Sequence, residues 1–434
     1  MFKIQIIIDS NFHARSFFSN QLSKELQNNF EVLYCISEDV DSKFIPSHIP
    51  ISRYQVSKRA SKFFLLVLDA SLIRNVRRST SFKFRLRRYC FGDYSRFRLP
   101  SPTGVFRFLR SLLMAVPGVY WFLIHQYRIA AKSLEALNLI SKEFSADMIV
   151  TWSYSLEPTT LFGILKSREL GAKSMAVFDN WDNLSSKAVL IEHPDYLVCF
   201  GEQSKEFAQK IHGIKGENCF ALGSARFDSF IEVKSSVSKK ILIAGSSIAL
   251  EDAQIIKEIS NCIDNLSKPN FSNDYKFYYR PHPKPQGASL DIDNWTNLKI
   301  ELDPSILKFR GEDWQSQSEL AHELNQYQAI VCAPTTLLIE ALILGKTVIV
   351  PTLDVKGINT SIKTMIKELE HLKPIKKLDG VLIVQTRDEL LLALQNALFE
   401  TQNISQGDKL EWIVNTRPGT FSKRFSSLLV KLLQ

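Results

Sequence analysis

The chain has no Cys-x-x-Cys pair, no Gly-x-Gly-x-x-Gly and no uninterrupted apolar stretch of bilayer-spanning length. Each absence removes a class of answers. Its six cysteines, Cys35, Cys90, Cys199, Cys219, Cys262 and Cys332, are scattered, several of them inside apolar strand-like runs, so they read as reduced core residues of a cytosolic protein. An opening strand not followed by a glycine fingerprint argues against a dinucleotide-binding dehydrogenase. The longest apolar run, Ser111 to Ile124, is interrupted by Pro117 and Gly118 and is too short to cross a bilayer. The start, MFKIQIIIDS, reads as a strand and has no small-residue cleavage site, so a cytoplasmic protein is expected, at most peripheral to the inner face of the membrane. No cluster of His, Cys, Asp or Glu has metal-ligand spacing, and Asp39-Val-Asp41 and Asp291-Ile-Asp293 stand apart from every motif discussed below. Metal-independent chemistry without a cofactor is the expectation.

What is present is a globular composition in 434 residues, 45% hydrophobic and 23% charged. A single core stops growing at about 250–300 residues, which predicts two domains. The net charge of +9 is not spread evenly. Between Lys58 and Arg110 there are 14 Lys and Arg against Asp69 and Asp93, and the rest of the chain carries 40 basic against 43 acidic residues. Phe63, Phe64, Phe82, Phe84, Tyr89, Phe91, Tyr94, Phe97, Phe106 and Phe108 are interleaved with this charge. Basic and aromatic side chains together suit an anionic membrane surface. No DNA- or RNA-binding motif accompanies them, so nucleic acid is not the expected partner.

Along the chain, apolar strand-like runs alternate with helical periodicity. Lys3 to Ile8 is a strand, Asp9 to Arg15 a loop into a helix ending near Asn29, and Glu31 to Ile36 the next strand. After the basic insertion, about 58–126, Tyr127 to Phe144 reads as one helix, followed by strands at Asp147–Thr151, Lys173–Phe178 and Tyr196–Phe200. The polar stretch Val233–Lys239 divides the chain, and a second α/β series starts at Lys240. The pattern predicts an N-terminal domain over 1–232, a C-terminal domain over 240–410 and a last amphipathic helix within 411–434. Two such sheets of similar size predict a cleft between them.

The segment Gln328 to Thr352 reads as strand, loop, helix, turn, strand. Thr335 and Thr336 stand where the helix N-terminus belongs, a place that attracts phosphate, and Glu340 one turn later is placed to reach a ribose hydroxyl. Arg280-Pro-His282-Pro-Lys284-Pro follows a strand directly and brings two cations and a histidine to the same edge, as a pyrophosphate requires. Gly245, Ser246 and Ser247 follow the first strand of the second series and offer backbone N–H groups. In the first domain, Asp179-Asn-Trp-Asp-Asn-Leu-Ser-Ser-Lys187 crowds polar groups onto one loop, with Trp181, Asn183, Ser186 and Lys187, together with Arg15, as acceptor contacts. Four groups qualify by position as a general base, Asp9, His13, Glu157 and Asp182, of which Glu157 and Asp182 lead.

These motifs, WDNLSSK at 181–187, FGEQSKEFAQKIHGI at 200–214, GSARFD at 223–228, RPHP at 280–283 and APTTLLIEALILGKTVIVPT at 333–352, resemble the GT-B superfamily of nucleotide-sugar glycosyltransferases in its bacterial surface-polysaccharide branch. The resemblance covers about residues 145–355. It implies two Rossmann-like domains facing a cleft, the C-terminal one holding the donor and the N-terminal one the acceptor. A His-Pro pair followed by a Thr-rich helix start is similar to the donor site of Kdo-transferases, sialyltransferases and CDP-glycerol glycerophosphotransferases. That implies His282, Thr335 and Thr336 at the donor phosphate and Glu340 at the ribose. The acidic base motif of bacterial sialyltransferases is absent, as is a match to the catalytic set of the UDP-N-acetylglucosamine 2-epimerases, which share the fold. The expected activity is metal-independent, inverting transfer of a sugar, from a CMP-sugar ahead of a UDP-sugar, to a cell-surface glycan or lipid-linked acceptor in capsule or lipopolysaccharide synthesis. The alternatives are a CDP-glycerol-type transferase and a non-catalytic nucleotide- or glycan-binding relative.

Overall fold

A computed structural model of the chain describes all residues except 19–20, 92–101, 153–156, 188, 235, 237, 247–248, 267–274, 283–298, 304–315, 354–360, 400–406 and 418. Ser247, Lys284 and the triplet at 291–293 lie outside the described residues, as does most of the loop from Trp152 to Glu157. The chain forms two units. The first comprises Met1–Asp228, Glu368–His371 and Glu411–Gln434, and the second Ser229–Lys367 and Leu372–Leu410.

Unit 1 is built on seven parallel strands: β1 (Lys3–Ile8), β2 (Glu31–Ser37), β3 (Ile51–Tyr54), β4 (Met148–Trp152), β5 (Lys173–Phe178), β6 (Tyr196–Cys199) and β7 (Cys219–Ala221). Their order in the sheet is β3-β2-β1-β4-β5-β6-β7. Parallel strands covered on both faces need near-continuous apolar runs, and Ile4, Ile6, Ile8, Met148, Val150, Met175 and Val177 supply them. The sheet changes direction between β1 and β4, leaving a crevice at their carboxyl ends. Helix α1 (Asn11–Phe18) begins earlier than the sequence reading, so His13 and Arg15 are helical and not in a loop. A second helix, α2, covers Leu22–Asn29.

Between β3 and β4 the described chain runs through α3 (Lys58–Arg74), α4 (Thr80–Phe91), α5 (Pro102–Ala115), α6 (Pro117–Lys132) and α7 (Glu135–Phe144). The single helix expected over Tyr127–Phe144 is thus two, broken at Ser133 and Leu134. No single described helix is long and apolar enough to cross a membrane. Helices α8 (Pro158–Leu170) and α9 (Glu202–His212) follow β4 and β6. The terminal helix Phe421–Leu433 packs on the first unit: Phe421 and Phe425 meet the buried Trp152 ring edge-on. Asp228 caps its start, accepting from the N–H groups of Phe421 and Ser422 and from the Ser422 hydroxyl. The five cysteines with described side chains are free and buried.

Unit 2 holds six parallel strands: β8 (Lys240–Ala244), β9 (Lys276–Arg280), β10 (Glu301–Leu302), β11 (Ala329–Val331), β12 (Thr347–Pro351) and β13 (Val381–Val384), in the order β10-β9-β8-β11-β12-β13. Here the direction changes between β8 and β11. The polar stretch expected as a linker is tied to this unit, since Ser236 bonds to Asn325 and accepts from Lys346 Nζ.

Candidate functional site

At the β1/β4 crevice of unit 1, Asp9 directly follows β1 and His13 lies one helical turn on, so local spacing alone brings them together. Asp9 Oδ1 is 3.0 Å from His13 Nδ1, and Ser10 Oγ is 2.9 Å from the same nitrogen. Thr159, in the first turn of α8, donates to Asp9 Oδ2 at 3.0 Å. Glu157, the residue before Pro158, also hydrogen-bonds Asp9. Burial pushes the Asp9 carboxyl up, but the bonds and charge of His13 with those of Glu157 and Thr159 outweigh it and hold Asp9 below its ordinary value. Asp9 is thus the centre of a network of His13, Thr159 and Glu157 at the carboxyl end of β1.

On the other side of the imidazole, His13 Nε2 is 3.7 Å from Asp179 Oδ1. Asp179, at the end of β5, accepts from Trp152 Nε1 at 3.2 Å and from Ser224 Oγ at 3.4 Å. Arg226 donates to the Asp179 carbonyl and lies against the rings of Phe12, Phe200 and Phe227. His13 is fully buried, whereas the Asp9 side chain retains 10% exposure.

A second cluster forms from the loop after Asp179. Trp181 is buried, its Nε1 donating to Gln203 Oε1 at 2.9 Å and its ring edge-on to His371. Ser185 Oγ lies 2.8 Å from His371 Nδ1, and Ser186 Oγ donates to the Asp182 carbonyl. Neither serine caps a following helix; the chain forms one wide turn over Asn183–Lys187. Lys187 Nζ is 2.9 Å from Asp182 Oδ2, and Arg85 of α4 donates to the carbonyls of Ser186 and Lys187. Burial pushes Asp182 up, but Lys187, His371 and Arg85 outweigh it and hold its carboxylate below the ordinary value. Asn183 is fully buried with neither end of its amide bonded among the described residues. His212 clamps the loop's far side: its Nε2 is 2.7 Å from the Leu184 carbonyl, and its Nδ1 accepts from the Leu190 N–H.

In unit 2 the corresponding crevice lies after β8 and β11. A small pocket there is lined by Ala244, Ser246, Asp252, Tyr279, Cys332 and Ala333, among others. Asp252 accepts from the Ser246 N–H at 2.9 Å and from the Tyr279 hydroxyl at 3.2 Å. The Gly245 N–H donates to the Arg280 carbonyl. The two amides read as a phosphate cradle are therefore engaged inside the unit. Thr335 precedes the helix Thr336–Ile343, is exposed, and does not use its hydroxyl to cap it. The Leu338 N–H of the helix's first turn bonds to the Thr335 carbonyl, and the Thr335 N–H to that of Ala333. Glu340 is buried on the same helix, and Arg280 pairs with Glu323 at 3.3 Å. His282 follows β9, half-buried.

No family model and no curated protein sequence matches the chain. Solved structures do. The UDP-GlcNAc 2-epimerase from Methanocaldococcus jannaschii is 13% identical, with a TM-score of 0.56 over 99% of both chains. A putative UDP-N-acetylglucosamine 2-epimerase from Listeria monocytogenes is 11% identical, with a TM-score of 0.56 over 100% of this chain and 96% of that one. CalG4, the calicheamicin glycosyltransferase, is 9% identical, with a TM-score of 0.50 over 100% of this chain and 98% of that one. The likeness runs the length of the chain and includes both parallel sheets.

The chain has the GT-B fold.

Within the N-terminal unit of this GT-B chain, the structure gathers three of the four base candidates, Asp9, His13 and Glu157, into one network and leaves Asp182 in a separate ion pair with Lys187. Arg15 sits on α1 beyond His13. In the C-terminal unit, Thr335, Thr336, Glu340, His282, Arg280, Gly245 and Ser246 all lie on the segments leaving β8, β9 and β11. Residues not singled out from sequence are Asp179, Arg226, Trp152, Arg85, His371, Asp252 and Tyr279. Asp179 had a signal, since it is the first polar residue after a strand, as Asp9 is. Arg85 and His371 had none, because only tertiary packing brings them to the 182–187 loop.

Proposed function

We propose that the protein is a nucleotide-sugar-dependent glycosyltransferase of the metal-independent, inverting kind, acting on a cell-surface glycan or lipid-linked acceptor. The observation that carries this reading is the hydrogen-bonded carboxylate at the β1/β4 crevice, Asp9 with Thr159 and the buried His13. The acceptor hydroxyl loses its proton to the Asp9 carboxylate as its oxygen attacks the anomeric carbon, and the carbon–phosphate oxygen bond breaks on the opposite side. His13 and the buried Asp179 behind it orient Asp9 and absorb the change in charge. In the other unit, the N-terminus of the helix Thr336–Ile343, with Thr335, Thr336 and His282, stabilises the departing nucleotide phosphate, and Glu340 holds the ribose. Lys187, Asp182 and Arg15 serve the acceptor. A CMP-sugar is favoured over a UDP-sugar as donor.

The likeness to two epimerases supplies a second reading, in which the same unit 1 network moves a proton on a nucleotide sugar without an acceptor. A thermal-shift series with CMP, CDP, UDP, GDP and ADP is the first test, because a ligand at about 100 times its Kd adds about 2.7 kcal/mol. Stabilisation by CMP or CDP selects the Kdo-like, sialic-acid-like or glycerol-phosphate donors, and stabilisation by UDP selects hexose donors. Conversion of UDP-N-acetylglucosamine to its 2-epimer by the protein alone would replace the transferase reading. Indifference to all five nucleotides would sink both.

A further inference from the structure

Of the sixteen large hydrophobic side chains exposed among the described residues, nine fall between Val105 and Phe122: Val105, Phe106, Leu109, Leu112, Leu113, Val116, Val119, Trp121 and Phe122. A concentration of this kind on one stretch is not the scatter of single apolar residues that ordinary surfaces carry. The exposures are large, 68% at Phe106, 63% at Leu113, 58% at Trp121 and 60% at Phe122. On α5, Val105, Leu109, Leu112 and Leu113 recur at helical spacing, which puts them on one face. Helix α6 begins at Pro117 after a turn of 87°, and Val116, Pro117, Gly118 and Val119 at the corner are all exposed. The apolar surface therefore continues from one helix to the next around the bend.

Length and composition alone would let this bent pair cross a membrane, but its packing forbids that. Tyr120, Leu123, Ile124, Tyr127 and Ala131 on the inner side of α6 are buried in a core with Val67 and Ala70 of α3 and Leu161 of α8. The inner side of the pair is thus committed to the protein, and only its outer side is available. That is the geometry of a helix pair lying in a bilayer interface.

The charge around the face selects the occupant. From Ser95 to Ser133 the chain contains no Asp or Glu, while Arg107, Arg110, Arg128 and Lys132 lie on α5 and α6. The acid within the described part of α3, Asp69, is neutralised by Arg110 at 2.7 Å. Exposed Lys58, Arg59 and Lys62 stand at the start of α3, which packs against both α5 and α6. Arg128 is likewise paired with Glu192, so the cationic border consists of the exposed Lys58, Arg59, Lys62 and Lys132, a charge of one sign that a second copy of the same face would repel. A bilayer with anionic headgroups meets both the apolar face and its cationic border, and Trp121 has the amphipathic ring that prefers the headgroup level.

We propose that the outer face of α5 and α6, from Val105 to Phe122, is a lipid-docking surface that inserts into the headgroup and upper acyl region of an anionic bilayer. This surface differs from the basic segment as a whole. Arg85 is turned inward to the 182–187 loop, Arg78 to the Ile211 carbonyl and Arg87 to Glu368, so much of that segment's charge is structural. The proposal does not rest on the enzymatic reading, since docking needs no substrate. It does bear on it: α4 packs beside α5, so the loop that Arg85 holds lies one helix away from the docked face.

The test is flotation of the purified full chain with phosphatidylcholine vesicles containing about a third phosphatidylglycerol. Wild type should bind these vesicles and bind pure phosphatidylcholine vesicles at least tenfold more weakly. The variant L109E/L113E/W121E should lose at least tenfold in partition at an unchanged thermal midpoint, since all three positions are solvent-exposed. Because a triple variant can lose its fold, a second measurement uses F122C carrying an environment-sensitive fluorophore on an otherwise intact face. Its emission should shift to the blue on vesicle addition. Wild type that ignores anionic vesicles, a folded triple variant that binds as wild type does, or a label unmoved by lipid would each overturn the proposal. So would a wild-type dimer that the triple substitution dissociates while vesicle binding persists, because the face would then be a contact between copies.

Discussion

Lowering the pH from 7.5 to 5 should destabilise unit 1 through His212, and the structure fixes both the sign and the size. His212 is buried at the end of α9 with both ring nitrogens used. Nδ1 faces the Leu190 N–H at 3.2 Å and must accept, while Nε2 faces the Leu184 carbonyl at 2.7 Å and must donate. The neutral Nε2–H tautomer satisfies both partners. Protonating Nδ1 would set two N–H groups against each other in a buried site. Burial pushes the His212 pKa down to about 4. The unfolded chain therefore takes up the proton first, and stability present above about pH 6.5 is lost progressively as the pH falls towards 4. With an unfolded value of about 6.5, the loss is about 2 kcal/mol at pH 5 and about 3 kcal/mol at pH 4. His371, on the other side of the same loop and likewise pushed down to about 4 by burial against the opposing pull of Asp182, adds a similar amount.

The assay is urea unfolding followed by tryptophan fluorescence at pH 7.5 and 5, for wild type and His212→Gln. A glutamine reaches the Leu184 carbonyl with a donor and cannot titrate. It should cost about 1–3 kcal/mol at pH 7.5, because the Leu190 N–H is left without its acceptor. In return the drop on acidification should shrink by about 2 kcal/mol. Because Leu184 and Leu190 bracket the end of the 179–187 loop, acid should also weaken ligand binding at unit 1 before the unit unfolds. An identical drop in the two proteins, or an imidazole resonance of His212 that titrates near 6.5 in the folded state, would refute the reasoning.

Asp9→Asn removes the negative charge and one of the two oxygens that His13 and Thr159 use, and sugar transfer should fall about a hundred- to ten-thousandfold with little change in donor binding; a steady-state comparison of kcat and donor KM checks this. In Gly245→Ala, the new Cβ would stand 2.8 Å from Asp252 Oδ2, 2.8 Å from the Tyr279 hydroxyl and 2.9 Å from the His282 nitrogen. Unit 2 should lose about 1–3 kcal/mol, and nucleotide-induced thermal stabilisation should drop because His282 is displaced. Asp228→Ala strips the terminal helix of its cap on Phe421 and Ser422, which should cost about 1–3 kcal/mol in thermal or chemical unfolding. Since Phe421 and Phe425 pack on Trp152, its near-ultraviolet dichroism should weaken in the same variant.

The sequence alone determined a good deal, because much of this protein is local. Continuous apolar runs such as Ile4–Ile8 and Thr347–Val350 can only be strands buried on both faces, and alternation with helical periodicity makes the sheets parallel. Residues that immediately follow such strands must reach the carboxyl edge, which is why Asp9, His282, Thr335 and Gly245 were legible. The pairing of Asp9 with His13 was not, because the segment from Asp9 to Arg15 reads as a loop and the helix in fact starts at Asn11. The limit came where one helix signal covered two elements, as at Ser133, or where a polar stretch such as Ser236 was fastened to its own unit instead of linking two.

Only the tertiary structure decided the partners that are distant in sequence. His13 meets Asp179 across 166 positions, Arg85 meets Ser186, Ser185 meets His371, and the terminal helix returns to Trp152. No spacing rule encodes these contacts, because each depends on how whole elements pack and on which side of a helix the core claims. The same holds for the α5–α6 face. Its residues are as apolar as those of any core helix, and the sequence could not say that Val67 and Leu161 would take the inner side of α6 and leave Trp121 and Phe122 in solvent. Burial is a property of the packed pair, not of either chain segment, so that surface became visible only once the fold had chosen which side to hide.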